Sequence, residues 1–509
     1  MTAKAAVTSA QAKGAPDVSA RLDAARRLFE SRRAAEALIP AQQAVALAPD
    51  DAEAAALLDA IQTALVTGDP ALVRLELAAV LDPDDGAHQL ALGEAYAALD
   101  RPHDAERCFK RTLALGRVRE AHADLAELYL SVEMLDAADH HARLALAAPD
   151  EGRDDDTLVA IAYQTLAATC QVRGERQQAE RHLDQAYARR SLFRQPCPGA
   201  AFTTLILATR GQGNIAYGAL MPRGGFDRTV WYMEHARKDQ IAELGDYAVV
   251  LNAIGDPDIA QASRATVDAF LAGCSRPVLN PPARVEATLR HRIGETLAGI
   301  PDLVAPRTLR VAADAGGLRA AVSRAGMAGA VIVRPTGSHG GKGLALAQTE
   351  AALDSVRLED GGEAYVTAFH DYRSPDGFFR KYRMMFVDRR PYAYHLAIGP
   401  HWMVHHQSAQ MADDPRRIAE EMAFLQDPET AIGARAMEAV RGIGRRLDLD
   451  YGGVDFGLTG DGQVLLFEAN ATMLTHLEPA DGPFAAKNPF IEPILTAFQA
   501  HLAGRAAEA

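Results

Sequence analysis

Four cysteines in 509 residues, none of them in a CxxC pair, leave little for a disulfide framework or a thiolate zinc site and point to a reducing compartment. No apolar run approaches the ~20 residues of a membrane-spanning helix. The opening residues, MTAKAAVTSAQAKGAPDV, hold no apolar core of signal-peptide length. The expectation is a cytoplasmic protein with no membrane partner. Basic residues are in deficit, 53 Lys and Arg against 67 Asp and Glu, for a net charge of -14. A nucleic-acid partner needs a basic face and is not expected, although the balance permits a local basic pocket.

What is present is ordinary globular composition, 48% hydrophobic and 24% charged, on a chain long enough for several cores. The first 190 residues are rich in alanine and leucine. Pro49 and Pro83 sit 34 residues apart, each in a PDD turn. The clearest unit is LALGEAYAALDRPHDAERCFKRTLAL, with Leu92, Gly93 and Tyr96 followed by Ala105 and Phe109; Leu58, Leu75, Leu125, Tyr129, Leu166 and Leu183 echo it. That period and those packing positions resemble the tetratricopeptide repeat, a helix pair whose apolar side is covered only by stacking. Residues 17–190 are therefore read as an all-α solenoid of five repeats. Its groove serves either as a docking surface for a peptide or protein partner or as a packing module.

A break at Ser191–Ala200 contains two prolines, and the composition then changes. AFTTLILATRGQGN reads as a buried strand with a glycine-rich loop at its carboxyl end. TVWYMEHA, YAVVLNAIGD and RPVLNPP read as further strands, and ARVEATLRHRIGETLAG has helical spacing. Residues 201–304 form an expected small α/β domain.

The stretch VIVRPTGSHGGKGLAL, Val331–Leu346, runs from a β-branched strand into a glycine loop and a second strand. It is not a Walker A loop: three residues, not four, separate Gly337 from the Gly341-Lys342 pair, and Gly343 follows the lysine. Nor is it GxGxxG, since Leu346 takes the last position. A loop of Gly337, Ser338, His339, Gly340, Gly341, Lys342 and Gly343 between hairpin strands can fold over a triphosphate, with its N–H groups and Lys342 on phosphate oxygens and Arg334 at the strand end. Read alone, the stretch is equally a plain glycine-rich hairpin.

The second motif is YGGVDFGLTGDGQVLLFEANATM, Tyr451–Met473, two apolar strands around a TGDG turn. Pairing Leu458 with Gln463 sets Asp455 opposite Leu466, on the face that also carries Glu468 and Asn470. Two carboxylates and an amide in an apolar setting need a cation to offset their repulsion, and hard oxygen donors suit magnesium bridging nucleotide phosphates.

Arg334 with its glycine loop, followed by Asp455 and by Glu468-x-Asn470, resembles the ATP-grasp superfamily over roughly 201–502. Within it the chain looks most similar to the ligases that glutamylate ribosomal protein, glutathione synthetase and D-alanine–D-alanine ligase. The resemblance implies a multidomain fold: the helical solenoid, then a pre-ATP-grasp α/β domain, then an α+β ATP-grasp domain over 305–505. That last domain has a small lobe near 305–365 and a large lobe near 366–505. It implies ATP with Mg2+ or Mn2+ held by Asp455, Glu468 and Asn470, and a flap at Gly337–Gly343. Arg334 stands where the family usually has lysine, Arg290 is a second phosphate-binding base with Arg292 as its rival, and Thr367, Ala368 and Phe369 form an adenine hinge. Lys381 and Arg383, alternating onto one strand face, would join Arg334 and Lys342 in stabilising phosphoryl transfer. His401, His405 and His406 lack nearby acidic or thiol co-ligands and are read as structural or pocket-lining; His476 is a further substrate-facing candidate.

The implied reaction turns a carboxylate into an acyl phosphate at the expense of ATP, and an amine then displaces phosphate to form an amide. Small-molecule or peptide carboxylates and amines are the expected substrates, and relatives often pair as homodimers. The alternatives are a thiol or other acceptor, or a non-catalytic nucleotide-binding adaptor carrying the repeats.

Overall fold

The alanine-rich first part of the chain has nothing but helix to offer, since small unbranched side chains favour it and few β-branched runs compete. The computed structural model describes residues 18–31, 33–67, 70–149, 155–197, 199–222, 225–312, 317–337, 343–356, 362–404 and 409–508. It divides into two units, Met1–Arg190 and Ser191–Ala509. The described residues of the first unit form ten helices, from Val18–Glu30 to Arg176–Arg189, each packed on its successor. Leu92, Gly93 and Tyr96 on Gly86–Ala98 are buried, as are Ala105 and Phe109 on Pro102–Ala114. Gly93 is required there: a Cβ would come within 2.5 Å of Phe109 Cε1.

The described residues of the second unit hold three sheets. In the first, β1 (Leu192–Gln195), β2 (Thr203–Ala208), β3 (Asp227–Tyr232), β4 (Val249–Asn252) and β5 (Val278–Leu279) lie in the order β1-β3-β2-β4-β5. All neighbours are parallel except β1, which runs antiparallel to β3. Every residue of β4 is buried and β2 is nearly so, which is why these strands read as continuous apolar runs rather than alternating ones. The helical pattern stops at Arg189 and the second unit starts at Ser191, where the break was expected; within that stretch Leu192–Gln195 form the edge strand β1, with Leu192 fully buried. The expected helix over 283–299 is also shorter than its spacing implied. It is two pieces, Pro282–Glu286 and Ile293–Thr296, and Arg290 lies between them.

The remaining strands are β6 (Leu303–Val304), β7 (Thr308–Ala312), β8 (Val331–Pro335), β9 (Ala345–Ala347), β10 (Glu363–Ala368), β11 (Phe379–Val387), β12 (Arg390–Gly399), β13 (Tyr451–Leu458) and β14 (Val464–Asn470). They make a four-stranded sheet, β7-β10-β8-β9, and a five-stranded sheet, β12-β11-β13-β14-β6. The four-stranded sheet has a core of its own, built from Leu318, Val322, Val331, Val333, Ala364 and Val366. The five-stranded sheet is covered by Pro415–Gln426, Ala434–Leu447 and Asn488–Ala506. β11 and β12 join through Asp388 and Arg389, both at positive φ, as a tight two-residue hairpin turn requires.

Asn280 docks the first sheet on the third. Its side-chain N–H donates to the Tyr451 carbonyl at 2.7 Å, and its side-chain oxygen accepts from the Asp450 and Tyr451 N–H groups at 2.8 and 3.0 Å. Cys108, Cys170, Cys197 and Cys274 form no disulfide. No helix among the described residues is long and apolar enough to cross a membrane.

Candidate active site

The β13–β14 hairpin is the centre of the site. Its register is Leu458 with Val464, Gly457 with Leu465 and Phe456 with Leu466; it then shifts, so that Asp455 stands opposite Glu468 and Gly453 opposite Asn470. The expected pairing of Asp455 with Leu466 is therefore corrected. Phe467 is the extra residue of a β-bulge, which moves the last three residues of β14 by one position. The bulge brings the two carboxylates face to face. Gly453 cannot carry a side chain, because a Cβ would lie 2.6 Å from the Met473 sulfur.

The repulsion expected between the two acids is offset by protein cations. Arg383 grips Asp455 with two hydrogen bonds, Nε to Oδ1 at 2.6 Å and Nη2 to Oδ2 at 2.8 Å, and Lys381 Nζ donates to Oδ2 at 2.9 Å. These two bases point the same way because they alternate along β11, where Arg383 is the register partner of Asp455. Arg290 Nη2 pairs with Glu468 Oε1 at 2.9 Å, and Arg334 Nη1 lies 3.4 Å from Oε2. The Asn470 side-chain N–H also donates to Glu468 Oε1, and its oxygen accepts from the Thr472 N–H at 3.0 Å.

Burial alone would raise both acids. At Asp455 the positive charges of Arg383 and Lys381 outweigh it and hold the carboxyl well below the usual range. At Glu468, Arg290 and Arg334 outweigh burial and the opposing charge of Asp455, bringing the carboxyl down to about 2. Arg334 itself is lowered, first by burial and then by its like-charged neighbour Arg290.

These side chains line one cleft of about 580 Å³, within the range of small-molecule sites. Arg290, Arg334, Thr367, Ala368, Phe369, Lys381, Arg383, Asp455, Glu468 and Asn470 all reach it. Four cations against two carboxylates leave these residues with a net charge of +2. That balance suits an anionic ligand, and the carboxylate pair with the Asn470 amide is a hard donor set of the kind a divalent cation takes. Arg292 is elsewhere, half-exposed and 3.2 Å from Glu286. The N–H groups of Ala368 and Phe369 are already donated, to Arg307 O at 3.0 Å and Ala330 O at 2.9 Å, so this hinge does not offer them to a base.

Gly337 and Gly343 both hold positive φ, at 65° and 71°, and bracket the glycine loop. Ser338, His339, Gly340, Gly341 and Lys342 lie outside the described residues, as do His405 and His406. His401 is exposed and does not line the cleft, and the His476 ring bonds Tyr394 Oη at 3.1 Å instead of reaching the site. Pro306, Ile332, Leu344, Tyr365, Tyr372 and Trp402 also line the cleft and escaped sequence reading. They are ordinary core-type residues, and only their tertiary placement makes them a wall.

No family model matches the chain, and no curated protein does. Among solved structures, that of the D-cycloserine synthetase DcsG is 18% identical and covers 60% of this chain and 99% of its own, with a TM-score of 0.38. D-alanine–D-alanine ligase from Bacillus anthracis, complexed with ATP, is 10% identical, covers 60% and 98%, and gives 0.36. The ATP-grasp ligase PsnB, complexed with a minimal precursor, Mg and ADP, is 14% identical, covers 59% and 98%, and gives 0.35. These neighbours are ligases, two of them captured with nucleotide.

Proposed function

We propose that residues 201–505 are an ATP-dependent ligase that activates a carboxylate as an acyl phosphate and transfers the acyl group to an amine. The domain at 201–304 precedes an ATP-grasp module with lobes near 305–365 and 366–505. The observation that carries the reading is the convergence, on one cleft with a net positive charge, of four fixed cations around two facing carboxylates.

The chemistry asks little of the protein besides position and charge. A substrate carboxylate oxygen bonds the γ-phosphorus of ATP as the bond to the bridging oxygen breaks, giving acyl phosphate and ADP. The amine then bonds the acyl carbon, phosphate leaves, and the amine's proton passes to solvent. Arg290, Arg334, Lys381 and Arg383 neutralise charge on the phosphoryl oxygens. Because ion pairs already hold them in place, little reorganisation is needed. Asp455 and Glu468 stay ionised at neutral pH. With Asn470 they would hold Mg2+, which supplies further charge neutralisation and orients the phosphates when bound. The glycine loop at 337–343, with Lys342, is assigned to covering the phosphates and keeping water from the acyl phosphate. The helical unit, read as tetratricopeptide repeats over 17–190, would bring a peptide or protein acceptor to this ligase.

The test is turnover with hydroxylamine present. Purified protein given ATP, magnesium and a panel of amino acids and peptides should release ADP and form the hydroxamate of one carboxylate, read by mass spectrometry. ADP release with no hydroxamate from any carboxylate would overturn the acyl-phosphate route, and no nucleotide binding at all would overturn the ligase.

A further inference from the structure

One row of side chains crosses the four-stranded sheet beside the cleft. Tyr365 on β10 is the register partner of Arg310 on β7 and of Arg334 on β8. Directly opposed residues present their side chains on the same face, so Arg310, Tyr365 and Arg334 lie side by side. Tyr365 is 2% exposed, and its hydroxyl donates to Asp258 Oδ1 at 2.7 Å. Arg310 Nη1 donates to the same oxygen at 3.2 Å, and its Nε donates to Glu363 Oε2 at 2.8 Å.

Asp258 lies outside the four-stranded sheet. It sits in the loop that follows β4, whose start is pressed against the end of the acidic hairpin: a Cβ on Gly255 would lie 3.1 Å from the Ala471 Cβ and 3.0 Å from Thr472 Cγ2. The Tyr365 ring also has an aromatic neighbour. His291 stacks on it, with centroids 6.0 Å apart and an interplanar angle of 21°, and the adjacent residue is Arg290, which holds Glu468. The aromatic ring therefore touches both routes by which a cation reaches Glu468. Its strand neighbour is Arg334 and its stacking partner adjoins Arg290. The four-stranded sheet has a separate core, so its placement against the rest of the unit depends on such polar ties more than on shared apolar packing.

We propose that Tyr365 and Asp258 are positioning residues: their hydrogen bond latches the four-stranded sheet to the β4 loop and so sets where Arg334 and Arg290 stand over the carboxylate pair. Neither side chain needs to touch the reacting atoms. The inference rests on the reading of the cleft as a nucleotide site, but the latch is a structural statement that can be measured without nucleotide.

The experiment uses the full chain and two near-isosteric variants, Tyr365→Phe and Asp258→Asn, together with the double variant. Tyr365→Phe keeps the ring and its stack on His291 and removes the hydroxyl. Hydrogen exchange of peptides covering 308–312, 331–335 and 363–368 reports the latch itself. Calorimetric titration with the magnesium complex of a non-hydrolysable ATP analogue reports the consequence. Each single variant should speed exchange in these strands and weaken analogue binding about tenfold, the order expected when one hydrogen bond to a charged acceptor is lost. The double variant should be no worse than the worse single one, since Asp258→Asn removes the charge that both Tyr365 and Arg310 bond, and Tyr365→Phe removes one of those same bonds. In turnover the KM for ATP should rise more than kcat falls. A purely structural role would lower the melting temperature and leave the affinity of the folded protein unchanged, and that result would overturn the proposal. So would wild-type exchange and affinity in both variants. If wild type binds no analogue, the nucleotide reading fails, and the exchange data still decide whether the latch exists.

Discussion

Asp455 and Glu468 face each other as register partners across the β13–β14 hairpin, although an unbroken ladder from Leu458 and Val464 would have set Phe467 opposite Asp455. The bulge at Phe467 exchanges an aromatic neighbour for an acidic one. Two carboxylates, one buried and one half-buried, raise each other's energy, and each is offset by its own pair of cations, Lys381 and Arg383 on one side and Arg290 and Arg334 on the other. The site is thus a six-charge cluster in which no member can be neutralised without exposing its partners.

That interdependence sets the first expectation. Asp455→Asn leaves the half-buried Lys381 and Arg383 without their counter-charge. Breaking such a pair from one side costs up to about 3–5 kcal/mol. The variant should melt well below wild type while keeping its far-ultraviolet circular dichroism, and should lose turnover by about 10²–10³-fold. Wild-type melting and wild-type turnover together would remove Asp455 from the centre of the site.

Acid should unfold the second unit in a defined window. The folded carboxyl of Glu468 sits at about 2, against roughly 4.3 for an unperturbed glutamate. A depressed folded value contributes stability that is complete above the unfolded value and disappears as pH falls through the folded one. The contribution, on the order of 3 kcal/mol, should be constant from neutrality down to about pH 5 and be lost between roughly pH 4 and 2. Urea denaturation across that range checks it, and Glu468→Gln should flatten the curve.

Arg290 and Arg292 differ by two positions and should differ sharply in effect. Arg290→Gln removes one of the two cations on Glu468, and nucleotide affinity should fall by about tenfold or more. Arg292 makes an exposed pair with Glu286, and Arg292→Gln should stay within about twofold of wild type, as surface pairs do. Titration of both variants with an ATP analogue separates the two. Equal effects would mean the cleft is not where the phosphate binds.

In the helical unit, Gly93→Ala sets two effects against each other. Alanine gains about 1 kcal/mol of helix propensity over glycine, but its Cβ would lie 2.5 Å from Phe109 Cε1. Overpacking of this kind costs about 1–3 kcal/mol, so the net effect should be destabilising. Chemical denaturation of the full chain should show the transition of this unit moving to lower denaturant. Phe109→Leu placed in the same chain should recover part of the loss by opening the contact.

Much of this was legible in one dimension. The alternation of Lys381 and Arg383 along β11, the TGDG turn and the small-large spacing of Leu92, Gly93, Tyr96, Ala105 and Phe109 are local patterns with periods of two or about four residues, and they survive any packing. The offset of thirteen residues from Asp455 to Glu468 pointed to the correct pair through an incorrect register, because a bulge leaves no mark in composition. The short pieces around Arg290 read as one helix, since apolar spacing is kept even where the backbone breaks.

The amino-acid sequence on its own determined that the first part of the chain is helical, that the strands carrying Lys381, Arg383, Asp455 and Glu468 form, and which segments carry charge into an apolar setting, because those properties follow from neighbours a few residues away. Only the tertiary fold decided that Arg290, Arg334, Lys381 and Arg383 converge on the same two carboxylates, that Tyr365 reaches Asp258 across 107 residues of chain, and that Arg292 does not take part. Such meetings depend on strand order, on one bulge and on the docking of separate sheets, and no local pattern encodes a distance between residues so far apart in the chain.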